Sequence, residues 1–132
     1  MLRTLVIISV MLIAACSSMA TQQRTSDLND ALDRYAVAMR WAYYVDALSY
    51  YVDRDGKRPD IDLEMLDDFS ITGYEIKEKT LNETQDEVFV RGEFVYYQKE
   101  YGTIKKLKFE QNWWYSEEAK HWFIESDFPV FK

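Results

Sequence analysis

The sequence contains little cysteine, histidine, glycine or proline: one Cys, one His, four Gly and two Pro in 132 residues. A single Cys excludes an internal disulfide framework and a zinc site built from several thiolates. The scarcity of Gly and Pro excludes collagen-like and low-complexity chains. A chain of this length allows one small domain.

Basic residues are also in the minority, with 16 Lys and Arg against 23 Asp and Glu and a net charge of −7. This balance argues against a nucleic-acid partner held by bulk electrostatics. Apolar residues make up 48% of the chain and aromatic residues 16%, which is typical of a packed domain and not of a disordered one. Every aromatic residue lies at or after Tyr35, so we expect the core to follow the N-terminal segment.

The N-terminal segment 1–15, MLRTLVIISVMLIAA, has one charge, Arg3, ahead of an apolar run at 5–15 that only Ser9 interrupts. A membrane-spanning helix needs about 20 apolar residues, so this shorter run predicts the core of a secretory signal peptide. The alternative, a buried N-terminal helix, would require polar positions at helical spacing.

The apolar run ends in Ile13, Ala14 and Ala15 directly before Cys16. This order, a branched apolar residue and two small ones before a Cys, resembles the lipoprotein box of bacterial lipoproteins. The resemblance implies that the segment before Cys16 is removed and that the Cys16 thiol carries a diacylglyceryl group. Because Ser17 and not Asp follows, it also implies delivery to the outer membrane, on the periplasmic side. The alternative is an ordinary signal peptide with an incidental Cys.

Three regions follow from this interpretation. Residues 1–15 are the signal peptide, residues 16–25 are the lipidated Cys with a tether, and residues 26–132 form a single domain. The stretch 17–24, SSMATQQR, is small and polar, as a tether should be. The mature chain has no polybasic patch for anionic lipid, so its acyl chains would hold it at the membrane.

An amphipathic helix is predicted to begin at Ser26, whose side chain is suited to accept from an N–H of the first turn. Its apolar residues recur at helical spacing along one stripe: Leu28, Leu32, Tyr35, Met39 and Ala42. The segment 41–52 is expected to continue this helix or to form a second short one. Residues 53–60, DRDGKRPD, predict an exposed turn, and 62–69 an added helical turn.

After residue 70 the pattern changes to period two and predicts four strands, at 71–81, 87–99, 103–116 and 121–126. The short turns between them predict antiparallel neighbours. Gly92 is expected to mark a bend or bulge. Alternation assigns these residues to the core face: Val88, Val90, Phe94, Tyr96, Leu107, Phe109, Gln111, Trp113, Tyr115, Trp122, Ile124 and Ser126.

The predicted fold class is α+β, with an N-terminal helix or helices packed on a curved four-stranded antiparallel sheet. The stretch from Gln111 through Trp113 and Trp122 to Pro129 resembles envelope lipoproteins with a nuclear transport factor 2-like (cystatin-like superfamily) domain. The resemblance implies a cone whose cavity serves as an isomerase or dehydratase site in some relatives, among them ketosteroid isomerase. The candidate cavity residues are Tyr35, Asp46, Tyr96, Gln111, Trp113, Tyr115 and Trp122.

Catalytic and metal motifs are weak. His121, the one histidine, is predicted to point outward at a strand start, and no Ser-His-Asp or Cys-His set can be built without it. The stretch from Asp53 to Gly56 is similar to the start of a calcium loop, but Lys57 replaces a ligand and the Gly comes too early. We therefore assign no catalytic residue, no metal site and no cofactor.

Five apolar residues alternate onto the opposite, outer face of the sheet and are candidates for an interface: Phe89, Val95, Tyr97, Trp114 and Phe123. The alternative is that the preceding helical segment, or Phe128 and Phe131 of the tail, covers them.

These features favour a lipid-anchored, non-catalytic binding or scaffold module whose partner is a protein, a second copy of the chain or a small apolar ligand. The alternatives are a cavity enzyme of the same fold and a structural subunit of an envelope assembly with a filled cone. Fold alone does not decide among them.

Overall fold

The computed structural model describes the backbone of residues 2–132 and the side chains of residues 18–132. The predicted signal segment 1–15 and Cys16 lie outside the residues whose side chains are described, so signal cleavage and lipidation stay predictions.

Three helices precede the sheet: α1 at Leu2–Arg40, α2 at Tyr44–Leu48 and α3 at Leu63–Leu66. The prediction that Ser26 caps the first helix is wrong, because α1 already includes it. No Gly or Pro occurs in residues 2–40 to interrupt the helix. The residues expected as a tether are therefore helical from 18 to 25, and Arg24 already lies over the Tyr115 ring, 5.6 Å from its centroid.

The apolar stripe of α1 is buried except at its last predicted position. Leu28, Leu32, Tyr35 and Met39 are at most 4% exposed. Ala42 is exposed, and its φ of 60° turns the chain out of the helix between α1 and α2. The expectation of a second short helix in 41–52 is thereby confirmed.

Four strands form one sheet in the order β1-β2-β3-β4, with every neighbouring pair antiparallel. They span Phe69–Leu81, Glu87–Gln98, Ile104–Ser116 and His121–Ile124. The predicted α+β class and the consecutive order of the strands are confirmed. The β2–β3 register runs without interruption from Glu87 opposite Trp114 to Tyr97 opposite Ile104.

Helix α1 packs along the inner face of the sheet and runs antiparallel to β1. In the C-terminal half of α1, Asn29 Oδ1 accepts from Lys79 Nζ at 3.0 Å, and further along, the Tyr35 and Tyr74 rings lie 5.3 Å apart. The core-face assignment is confirmed: of the residues that alternation placed inside, Leu107, Tyr115 and Ser126 are half-buried, and the others are buried.

The chain around Tyr51 and the C-terminal segment complete the core. Tyr51 forms a parallel bridge with Ile124 beside β4. Phe128 packs on Tyr51 at 5.2 Å, and Phe131 packs on Phe94 at 5.4 Å. Both tail phenylalanines therefore belong to the inner face, so the alternative that they cover the outer face is wrong.

Gly92 allows β1 and β2 to approach closely, but it is not itself bulged. The irregularity lies in β1, between Ile76 and Glu78, opposite Gly92. A Cβ at Gly92 would lie 2.0 Å from the Glu75 carbonyl oxygen and 2.8 Å from Cζ of Phe109. A backbone atom cannot give way as a flexible side chain can, so this position requires glycine.

We expect Gly92→Ala to destabilise the domain by about 3 kcal/mol, the upper end for overpacking, because the new methyl group meets the β1 backbone. Gly73→Ala is the matched control, since its Cβ would meet only Val95 side-chain atoms at 3.3 Å. Guanidinium denaturation of both variants measures the difference. Equal midpoints for the two variants would contradict the close approach at Gly92.

Candidate functional site

The inner face, where a cavity was expected, is filled with aromatic side chains. Tyr35 of α1 is fully buried at the centre of this packing. Its ring lies 5.7 Å from Trp113, 6.0 Å from Tyr51 and 6.1 Å from Tyr50 between centroids. Two of the candidate cavity residues, Tyr35 and Trp113, thus contact each other within the core.

Gln111 organises the polar atoms of this core. Its amide nitrogen donates to the hydroxyl groups of Tyr35 at 3.2 Å and Tyr51 at 3.3 Å. Its amide oxygen accepts from the Tyr74 hydroxyl at 2.7 Å and from Trp113 Nε1 at 3.2 Å. The Tyr35 and Tyr51 oxygens are 2.6 Å apart and share a further hydrogen bond. A single amide therefore satisfies partners on α1, β1, β3 and the segment around Tyr51.

The tyrosines of this network act as neutral hydrogen-bond donors. Burial raises the pKa of Tyr35, Tyr51 and Tyr74 well above the ordinary value for a phenol. Desolvation is the largest cause in each case, because a phenolate would lose its water shell in the core. The network consequently keeps its protons throughout the neutral range.

The remaining aromatic cavity candidates, Tyr96, Tyr115 and Trp122, lie at the edges of the core. The Tyr96 hydroxyl donates to the Lys132 carbonyl oxygen at 3.1 Å. Trp122 Nε1 donates to the Arg24 carbonyl oxygen at 2.9 Å, which joins β4 to α1. Tyr115 is half-buried and packs on Trp122 with centroids 5.4 Å apart.

The placement of Asp46 inside a cavity is wrong. Asp46 is exposed on α2 and borders a shallow surface groove of about 470 Å³ together with Asp33, Arg34 and Tyr50. The prediction extended the α1 stripe past Ala42, but the left-handed turn at that residue changes the direction of the chain.

On the outer face, Trp114 is covered by the segment that follows Tyr51. Its Nε1 donates to the Val52 carbonyl oxygen at 2.9 Å, and the Arg54 guanidinium lies 5.5 Å from its ring centroid. Arg54 is held there by ion pairs with Glu87 and with Glu125, the latter at 3.1 Å. The covering residues follow α2 and are not helical, so the alternative of cover by the preceding helical segment is not confirmed at this position.

The five predicted interface residues are all half-buried and fall into two groups: Phe89, Trp114 and Phe123 near β4, and Val95 and Tyr97 near the β2–β3 turn. Between the groups, the outer face of β2 carries Arg91 and Glu93. The expectation of one continuous apolar patch is therefore wrong, because charged residues interrupt it.

His121 lies at the surface beside β4, as predicted. Its ring stacks on Tyr50, with centroids 5.4 Å apart and 18° between the planes. Partial burial and the nearby Arg34 lower its pKa below the ordinary value, so the imidazole is neutral at pH 7.

The turn that begins at Asp53 is stabilised by hydrogen bonds from backbone N–H groups of the turn to the Asp53 carboxylate. Asp53 Oδ1 accepts from the N–H groups of Asp55 at 2.9 Å and Lys57 at 2.8 Å. This carboxylate closes an Asx-type turn. Across the described residues, no three His, Cys, Asp or Glu side chains are grouped so that they could hold a metal ion.

A further exposed apolar surface is one that the periodicity did not identify. Trp41 is 69% exposed, Tyr43 57% and Val45 71%. All three follow the end of α1, where the turn at Ala42 directs the chain outward. The high density of aromatic residues after residue 40 is a sequence signal for this surface. Because the turn at Ala42 was not predicted, the sequence indicated only further helix in this segment.

Comparison with protein-family models, with curated proteins and with solved structures gives no match. Among the helices formed by the described residues, none is long and apolar enough to cross a membrane.

We expect Gln111→Leu to cost about 3–5 kcal/mol, because it leaves several buried hydroxyl and N–H groups without partners. Tyr74→Phe removes one hydrogen bond and should cost about 1 kcal/mol. Asn112→Leu, an exposed neighbour on the same strand, is the control and should stay within about 0.5 kcal/mol of the parent. Denaturant midpoints give the three values, and a Gln111→Leu variant as stable as the control would contradict the network.

The two adjacent tryptophans should differ in their effect on stability. Trp113→Ala truncates a side chain that is 1% exposed and should cost about 3–5 kcal/mol. Trp114→Ala removes a half-buried ring and its hydrogen bond to Val52, for which we expect about 1–2 kcal/mol. Thermal unfolding measures both, and equal losses would contradict the assignment of the two faces.

Proposed function

We propose that this chain is a bacterial lipoprotein, anchored through Cys16 to the periplasmic side of the outer membrane, that works as a non-catalytic binding or scaffold module. We further propose that its domain belongs to the nuclear transport factor 2-like (cystatin-like) group. The observed helix on a four-stranded antiparallel sheet agrees with that group at the level of architecture.

The anchor rests on the sequence around Cys16 and agrees with the course of α1. Arg24 lies eight positions after Cys16, a rise of about 12 Å in a helix. Arg24 contacts Tyr115 and Glu117, so the domain would sit close to the membrane surface. A continuous helix restricts the orientation of the domain relative to the membrane more than a flexible tether would.

The non-catalytic role rests on one observation, the filled inner face. Of the residues that would line an open cone, Tyr35 and Trp113 pack against each other and hydrogen-bond to Gln111. Tyr115 and Trp122 pack against each other at the edge of the core, and Asp46 lies outside it. An isomerase or dehydratase of this architecture needs space for a substrate beside a desolvated carboxylate. Here aromatic rings occupy that space, which favours recognition at the surface over chemistry in the interior.

The anchor is tested by membrane fractionation of cells fed labelled palmitate. The parent chain should carry label and sediment with the outer membrane, because several acyl chains together hold a protein firmly. Cys16→Ala should take up no label and should remain uncleaved, migrating slightly larger on a gel.

The control is Ser17→Ala, which keeps the thiol and should be labelled like the parent. Ser17→Asp should be labelled but move to the inner membrane, as the resemblance to sorted lipoproteins implies. Unlabelled Cys16→Ala protein that still reaches the outer membrane at its mature size would contradict the lipid anchor.

A further inference from the structure

One edge of the sheet is open along most of β3. β4 pairs with β3 only from Trp113 to Ser116. The nine residues 104–112 therefore have a strand neighbour, β2, on one side only.

Alternation along β3 identifies the backbone groups that point to this edge. Tyr115 N donates to Asp86 on the β2 side, whereas the Asn112 carbonyl oxygen accepts from Glu125 N on the β4 side. Because a residue of an antiparallel strand directs its N–H and C=O to the same side, the even-numbered residues face the edge. Lys106, Lys108 and Glu110 thus present their N–H and C=O groups outward.

A groove of about 440 Å³ runs beside this edge on the inner side of the sheet. Leu107 and Phe109 form its wall on β3, and Pro129 and Val130 form the wall on the C-terminal segment. Val130 is 61% exposed. Side chains of a strand added to the edge would alternate between this groove and the outer face.

The charge of the edge is opposite to that of the chain as a whole. Lys105, Lys106, Lys108 and Lys132 surround the edge and groove, against Glu110 and Asp127. The whole chain has a net charge of −7. Lys106 approaches Glu93 only at 4.0 Å, so it remains accessible to a further carboxylate.

The other edge of the sheet differs. β1 has two irregularities in its register, and bulges of this kind protect an edge from pairing. Lysines on an edge strand also discourage pairing with another strand. Protection of the edge does not account for the apolar groove beside β3 or for the regular, unbulged backbone of this strand.

From these observations we infer that the open β3 edge, residues 104–111, binds an extended segment of a partner protein as a fifth strand. The segment has apolar side chains at alternate positions, which enter the groove, and acidic side chains between them, which face Lys106 and Lys108. Backbone hydrogen bonds would give affinity, and the groove and lysines would give selectivity.

A second copy of the chain fits this edge less well, an argument that rests on the proposed anchor. Antiparallel pairing of two β3 edges reverses one copy relative to the other. Since α1 runs along the sheet, the two Cys16 positions would lie at opposite ends of the dimer and could not enter one membrane.

The test uses the full chain in detergent with a synthetic heptapeptide of alternating Val and Glu, blocked at both ends. Before binding, amide hydrogen exchange by NMR should be fast at Lys106, Lys108 and Glu110 and slow at Leu107 and Phe109. Saturation with the peptide should slow exchange at the first three. A peptide with Lys in place of Glu should bind more weakly.

The charge contribution is tested with Lys106→Glu/Lys108→Glu, which should weaken binding of the acidic peptide about fivefold or more. Lys77→Glu/Lys120→Glu makes the same charge change away from the edge, on β1 and in the β3–β4 turn, and should bind like the parent. Equal affinity of both double variants, or unchanged exchange at the three amides, would overturn the inference.

A second copy of the chain could occupy the edge instead. Slow exchange at the three amides without peptide, together with a dimer in analytical ultracentrifugation, would show this and would overturn the inference. Palmitate labelling reports on Cys16 and is independent of peptide binding. Failure of the anchor and failure of the edge site are therefore distinguishable.

Discussion

The side-chain amide of Gln111 is the interaction on which the rest of the core depends. It donates to Tyr35 and Tyr51 and accepts from Tyr74 and Trp113. These partners come from separate parts of the chain. The network therefore fixes the positions of the helix, the sheet and the segment around Tyr51 relative to one another. An apolar residue of similar size would fill the volume but would leave buried polar groups unpaired, which costs more than a hydrogen bond contributes.

Because the core is closed around this amide, the recognition role that we propose would be performed at the periphery. The outer face is interrupted by charge, and Trp114 is already occupied by Arg54 and the Val52 carbonyl. The open edge of β3 remains, and it combines free backbone groups with lysines in an otherwise acidic chain. The proposed lipid anchor at Cys16 and the proposed strand-binding edge of β3 would together suit a protein that holds a partner close to a membrane.

The main elements could be predicted because each depends on local chemistry. Alternation along β2 and β3 identified the buried face correctly down to Gln111, since side chains of a strand point alternately to two sides. The turn at 53–60 followed from its Asp, Gly and Pro content. The start of α1 could not be predicted from Ser26. A serine followed by acidic residues occurs within helices as well as at their N-terminal caps, so the residue type alone does not mark a helix start.

By itself the sequence determined the α+β class, the order of the strands, the inward residues and the lipoprotein-like motif at Cys16. The tertiary structure decided whether the inner face encloses a cavity, where Asp46 lies and which outer residues are free. Those outcomes depend on the turn at Ala42 and on the paths of the segment after Tyr51 and of the C-terminal segment. Such paths are set by packing between residues far apart in the chain, which no local pattern records.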